Sequence, residues 1–94
     1  MTWSVIYHHG VEEDLEGIGK SMARRVLKAI EKKLTKAPLA YGMPLSGNLA
    51  DFRKLRVGDC RVVYQVIGTE VVVYVLAVGF RRNKDVYKIA GKRE

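Results

Sequence analysis

Cysteine, histidine and proline are scarce in this chain, and so are long apolar runs. Cys60 is the single cysteine, so no internal disulfide can form, which fits a reducing cytoplasm. In an apolar strand it reads as a small core residue. The longest apolar run, Val71–Val78, has the length of a strand and falls short of the roughly 18 residues of a membrane span. No membrane association is expected. Nothing in residues 1–7 reads as a signal peptide. The two histidines, His8 and His9, are neighbours at a strand end. Strand alternation sends them to opposite faces, a poor arrangement for an acid/base pair. No His, Asp or Glu cluster has ligand spacing, so no metal is expected. The loop from Gly42 to Gly47 contains a proline and does not open a helix, so it is no nucleotide fingerprint. No cofactor is expected.

Acidic residues are also in the minority. Seventeen Lys and Arg face ten Asp and Glu across 94 residues, a net charge of +7. This length suits one domain spanning residues 1–94. The surplus points to a polyanionic partner: nucleic acid, ribosome or an acidic protein.

Trp3–His8 reads as a first strand. Val11–Ile18 is a short helix with carboxylates at its start, where the macrodipole favours them. Ser21 is placed to cap a second helix running to about Lys36, ahead of Pro38. There Ala23, Val26, Leu27, Ile30, Leu34 and Ala37 make one apolar stripe. Leu39–Ala50 reads as a loop. Phe52–Val57, Cys60–Ile67 and Glu70–Gly79 are strand-like, joined by two-residue turns at Gly58-Asp59 and Gly68-Thr69. Val86–Lys92 forms a short last helix. The expected fold is α+β: a two-layer domain with an N-terminal strand and helical hairpin packed on a small antiparallel sheet. The first strand belongs at an edge or beside the last strand.

The Gly58-Asp59 turn fixes a register: Val57 opposite Cys60, Arg56 opposite Arg61, Leu55 opposite Val62 and Lys54 opposite Val63. Leu55 and Val57 then share a core face with Cys60, Val62 and Tyr64. The other face carries Lys54, Arg56 and Arg61. Like charges opposed on a sheet repel. They either splay into water or hold an anion between them. A second basic group follows the last strand: Arg81, Arg82 and Lys84, then Tyr87 and Lys88. The second helix adds Lys20, Arg24, Lys28 and Lys32, a surface suited to tracking phosphates.

Metal-free RNA cleavage uses the ribose 2′-hydroxyl as nucleophile. The protein must help remove its proton, stabilise the phosphorane and assist the leaving 5′-oxygen. Lys54, Arg61, Arg81 and Tyr87 are the candidates. Arginine forks match phosphate oxygens, and a tyrosine can stack on a base.

The segment from Arg53 to Tyr87, with its hairpin motif RVGDCRVVYQV and its ending VGFRRNKDVY, resembles the RelE branch of the RelE/ParE toxin superfamily. The approach GMPLSGNLADFRKLRVGD is similar as well. The resemblance implies the two-layer fold described. It implies a toxin of a type II toxin-antitoxin system that cuts messenger RNA in the ribosomal A site, leaving a 2′,3′-cyclic phosphate and blocking translation. Expected partners are a cognate antitoxin, a bacterial-type ribosome and mRNA, with a toxin-antitoxin hetero-oligomer in the cytoplasm. By residue, the family's catalytic lysine matches Lys54, its transition-state arginine Arg61, its second arginine Arg81 and its tyrosine Tyr87. RNA or ribosome contacts are expected from Arg56, Arg82, Lys84, Lys20, Arg24, Lys28 and Lys32. One position departs: a further catalytic lysine of that branch is Phe52 here. Arg53 points to the other face, whereas Arg56 lies on the right one. The alternatives are a ParE-like DNA gyrase inhibitor acting by binding, and a catalytically weak toxin-fold module that binds partners.

Overall fold

The computed structural model describes residues 2–94, apart from the side chain of Asn83. Five strands form one sheet: β1 (Ser4–Tyr7), β2 (Met43–Pro44), β3 (Arg53–Val57), β4 (Cys60–Ile67) and β5 (Val72–Phe80). Their order is β1-β5-β4-β3-β2. The hairpins from β2 to β5 are antiparallel, whereas β1 joins the β5 edge in parallel. The fold is α+β with a mixed sheet, and the first strand is both at an edge and beside the last strand. The β3–β4 register matches the turn-based expectation at every pair from Val57↔Cys60 to Lys54↔Val63. Gly58 holds φ at +57°, the left-handed conformation that a tight hairpin needs and glycine supplies cheaply. The next connection is longer than a two-residue turn. Ile67 pairs with Val72, and Gly68–Glu70 forms a 3₁₀ turn closed by Val71 at φ +53°.

Three helices flank the sheet: α1 (Val11–Ile18), α2 (Lys20–Ala29) and α3 (Asp85–Arg93). α2 starts one residue before Ser21, behind Gly19, and Ser21 makes no capping hydrogen bond. The helix runs on past Ala29 into a wider turn of π geometry, Ile30–Leu34, with the Thr35 N–H bonded to the Ile30 carbonyl. The sequence gives this widening a purpose. Val26, Ile30 and Leu34 step by four residues, and each such step drifts about 40° round a regular helix. A wider turn takes the drift back and keeps all three in the core, where each is at most 2 % exposed. Leu27, on the flank of the stripe, stays 42 % exposed, against the expectation that it would be buried.

The core divides by sheet face. On one face Val11, Val26, Ile30 and Leu34 pack on Leu55, Val57, Cys60, Val62, Tyr64, Val73, Val75 and Val78. On the other, Val86 and Ala90 of α3 join Leu49, Phe52, Val63, Leu76 and Ala77. A bulge separates these sets: Val63 faces Ala77 but Tyr64 faces Val75, which leaves Leu76 as the extra residue. Leu76 and Ala77 therefore both serve the α3 side. This second cluster goes beyond the two-layer expectation, and it seats the C-terminal helix on the same face as Lys54 and Arg61.

The loop ahead of β3 is clamped. Tyr64 Oη lies 2.9 Å from the Pro38 carbonyl and 2.8 Å from that of Tyr41. Arg53 Nη2 reaches the carbonyls of Leu39, Tyr41 and Gly42. Gly42 has φ +73°, and a Cβ there would collide with the Tyr64 hydroxyl. Burial pushes the Tyr64 phenol above its ordinary pKa, with the Arg53 cation opposing the rise.

His8 and His9 lie beyond the end of β1, so strand alternation does not govern them. Their rings stack with centroids 4.2 Å apart rather than pointing to opposite faces. His8 Nδ1 accepts the Gly10 N–H at 2.9 Å, which requires that nitrogen unprotonated. Burial, then His9 and Arg93, lower its pKa. A histidine with a depressed folded-state pKa contributes stability above its unfolded value near 6.5 and loses it as pH falls. The thermal midpoint should therefore drop as pH falls below about 6.5. His8→Asn, whose amide oxygen can replace Nδ1, should flatten that drop in a calorimetric pH series. An equal drop in the variant would remove His8 as its source.

Candidate active site

The β3–β4 hairpin and the chain leaving β5 place the candidate residues. Lys54, Arg56 and Arg61 line one cavity, together with Gly42, Met43 and Leu55. Strand alternation puts all three cations on the face away from α1 and α2. Arg56 and Arg61 oppose each other, yet they splay. Arg56 is exposed, whereas Arg61 is only 9 % exposed and turns toward the hairpin. Its Nη1 donates to the Gly58 and Cys60 carbonyls at 3.0 and 2.9 Å. Those bonds hold the guanidinium plane without using the Nε/Nη2 edge.

A second cavity adjoins the hairpin turn, lined by Asp59, Phe80, Arg81, Arg82 and Lys84. The Arg81 N–H donates to the Asp59 carbonyl at 3.0 Å, which ties the chain after β5 to the tip of β3–β4. Across β4 and β5, Arg61 faces Gly79 and Cys60 faces Phe80. The Arg82 guanidinium lies over the Phe80 ring, 5.9 Å from its centroid. Lys84 precedes α3 in the left-handed conformation at φ +58°, unusual for a residue with a side chain. Tyr87 is half-buried against the second core cluster. That cluster contains Val63, which pairs with Lys54 and lies two residues from Arg61. Lys54, Arg61 and Tyr87 thus share one face of the sheet, and Arg81 is fastened at its end.

The α2 cations do not join this group. Lys20, Arg24, Lys28 and Lys32 are exposed at four-residue spacing, on the layer covering the opposite face. Phe52, at the position of a lysine in the RelE branch, is 8 % exposed and belongs to the core beneath α3. Cys60 is fully buried, and burial, with Asp59 adding, raises its thiol pKa while Arg61 and Arg25 oppose. That describes an unreactive core thiol. Sequence reasoning missed Phe80 and Asp59 as cavity walls. It also missed the ion pair between Asp14 and Arg93, residues too far apart in the chain for any spacing rule. No helix among the described residues is long and apolar enough to cross a membrane.

Comparisons with known proteins place this small α+β domain, with its basic cavities round a hairpin tip, among the toxins of type II toxin-antitoxin systems. Residues 5–85 match the family model described as the ParE toxin of the type II toxin-antitoxin system, parDE. The mRNA interferase toxin RelE of Escherichia coli strain K12 is 34 % identical over 76 residues, covering 81 % of this chain and 76 % of RelE. The RelBE2 toxin-antitoxin complex of Mycobacterium tuberculosis superimposes with a TM-score of 0.80 at 25 % identity, covering 86 % of this chain and 93 % of that one. A mutant E. coli RelE in the free state gives a TM-score of 0.76 at 29 % identity, covering 99 % and 98 %. The chain belongs to the RelE/ParE superfamily of type II toxin-antitoxin toxins, as a RelE-type member.

Proposed function

We propose that this toxin is a ribosome-dependent, metal-independent endoribonuclease that cuts mRNA in the A site and so stops translation. The reading is carried by one observation: Lys54 and Arg61 lie on the sheet face that also receives Tyr87, while a backbone hydrogen bond fastens Arg81 to the hairpin turn. The 2′-oxygen attacks the phosphorus, the P–O2′ bond forms and the P–O5′ bond breaks. The 2′-hydroxyl loses its proton and the 5′-oxygen gains one, leaving a 2′,3′-cyclic phosphate and a 5′-hydroxyl. Arg61 offers its Nε/Nη2 edge to two phosphate oxygens, in an orientation already fixed by the hairpin carbonyls that hold Nη1. Arg81 adds the second cation. Lys54 and Tyr87 handle the protons, and Tyr87 also stacks on a base of the message.

His8 and His9 line a separate cavity with Tyr7, Val11 and Leu27, and the chemistry at the basic face relies on strand alignment, which the decoding ribosome supplies. The α2 row of Lys20, Arg24, Lys28 and Lys32 faces away from the cut and serves ribosomal RNA phosphates, as do Arg56, Arg82 and Lys84. A cognate antitoxin is the second partner, as in the RelBE2 complex. Ile6, Tyr7 and Leu27, all more than 40 % exposed, give it apolar surface to cover. The site of action is the cytoplasm.

The test is primer extension on a translated message after induction, beside the same message with its start codon removed. Cuts inside codons of the translated copy alone are expected. The ParE description of the matching family model supports a second reading, gyrase poisoning. Intact messages with altered plasmid supercoiling would establish it instead.

A further inference from the structure

β1 covers only part of the long β5 edge. Its pairing ends at Tyr7↔Val75, followed by one bond from the His8 N–H to the Val75 carbonyl. Beyond that point two helix side chains serve the edge. Asp14 of α1 accepts the Val78 N–H on Oδ2 at 3.0 Å. Arg93 of α3 donates from Nη1 to the Leu76 carbonyl at 3.2 Å. The two side chains then meet in a two-pronged ion pair, Nη1–Oδ2 at 2.6 Å and Nη2–Oδ1 at 2.9 Å. Arg93 Nη2 also reaches the Gly10 carbonyl. A Cβ at residue 10 would lie 2.5 Å from that nitrogen, so glycine there leaves room for the fork. Both side chains are largely buried, Arg93 18 % and Asp14 7 % exposed.

The pair joins helices lying on opposite faces of the sheet, because α1 belongs to one core cluster and α3 to the other. The rest of α3 is held by apolar packing on the second core cluster through Val86, Tyr87 and Ala90. The helix begins after the left-handed Lys84 with no side-chain cap, and its buried residues are Val86 and Ala90. Its C-terminal end is held at Arg93. Tyr87 lies between these points.

We propose that Asp14 and Arg93 are positioning residues: wrapped round the free edge of β5, they set the seat of α3 and through it the placement of Tyr87 at the scissile phosphate. This rests on the nuclease reading. Arg93 touches no substrate; its effect passes through Tyr87.

The test is single-turnover cleavage on programmed ribosomes at saturating toxin, below the thermal midpoint of every variant. Arg93→Ala should lower the maximal rate about 10- to 100-fold, with the half-saturating concentration within about twofold of wild type. Arg93→Lys, which keeps the charge without the fork, should recover part of the rate. Adding Arg93→Ala to Tyr87→Ala should change the rate by less than about twofold, because the two losses share one route. Losses that multiply in the double variant would overturn the proposal and leave the pair a fold staple. So would full activity in Arg93→Ala. If Arg93→Ala fails to fold, Arg93→Gln carries the same cycle, and amide exchange over Val86–Ala90 should accelerate in it while α2 is unchanged; uniform acceleration would also overturn the proposal. A wild-type protein that cuts nothing removes the nuclease reading and this inference together, an outcome distinct from an active Arg93→Ala.

Discussion

Arg61→Ala should lower the maximal rate of message cleavage by about 10²- to 10³-fold, the usual cost of deleting one preorganised donor to a developing charge. The size of the effect follows from the geometry. Arg61 is nearly buried, and two hairpin carbonyls hold its Nη1 in place before substrate arrives. An arginine fixed in this way reorganises little as negative charge builds on the phosphorane. Arg61→Lys separates charge from shape. Lysine keeps the cation but has neither the planar fork nor the two-carbonyl tether, so it should recover less than about tenfold of the loss. Single-turnover kinetics on programmed ribosomes measure both rates. Thermal melts must run beside them, since the hairpin carbonyls lose a donor in either variant. Wild-type cleavage by a folded Arg61→Ala protein would remove Arg61 from the site.

The second large effect is on stability. Ile30→Ala should cost about 2–5 kcal/mol, the range for emptying a packed core position. Domains of this size hold only about 5–15 kcal/mol in total. Leu27→Ala, three residues earlier, should cost less than about 1 kcal/mol because that side chain is already 42 % exposed. The contrast probes the wide Ile30–Leu34 turn, which keeps the buried row in line. Chemical denaturation gives both numbers, and equal costs would contradict the assignment of Leu27 to the surface.

Leu27 also marks where sequence periodicity loses resolution. A stripe read at three- and four-residue spacing includes both flanks of a helix, and only packing decides which flank is covered. The β3–β4 hairpin was legible for the opposite reason. A two-residue turn leaves one register, and alternation then assigns every side chain from Lys54 to Tyr64 to a face. The next turn departs from its sequence pattern: Gly68-Thr69 has turn composition, yet the connection extends to Val71, which takes the left-handed conformation that β-branched residues avoid. No local signal announces such strain. His8 and His9 stack instead of alternating because β1 stops at Tyr7, and alternation ends with the strand.

The basic cluster was legible in part. Lys54, Arg56 and Arg61 emerge from register alone. The seat of Tyr87 does not, since it depends on the bulge that turns both Leu76 and Ala77 toward α3. Phe52 shows the same dependence from the other side. By motif it stands at a catalytic position, and by packing it is a floor beneath α3. The Asp14–Arg93 bridge joins the two ends of the chain round a strand edge, and no spacing pattern reports a contact of that kind.

In the proposed reaction the message's own 2′-hydroxyl is the nucleophile, held among Lys54, Arg61, Arg81 and Tyr87. The most direct measurement uses programmed ribosomes carrying a message with a single 2′-deoxynucleotide on the 5′ side of the cut. The all-ribose message should yield a 2′,3′-cyclic phosphate end, and the deoxy-substituted one should stay whole at that site. Cleavage of the deoxy-substituted message there, or a product ending in a 3′-hydroxyl, would contradict it.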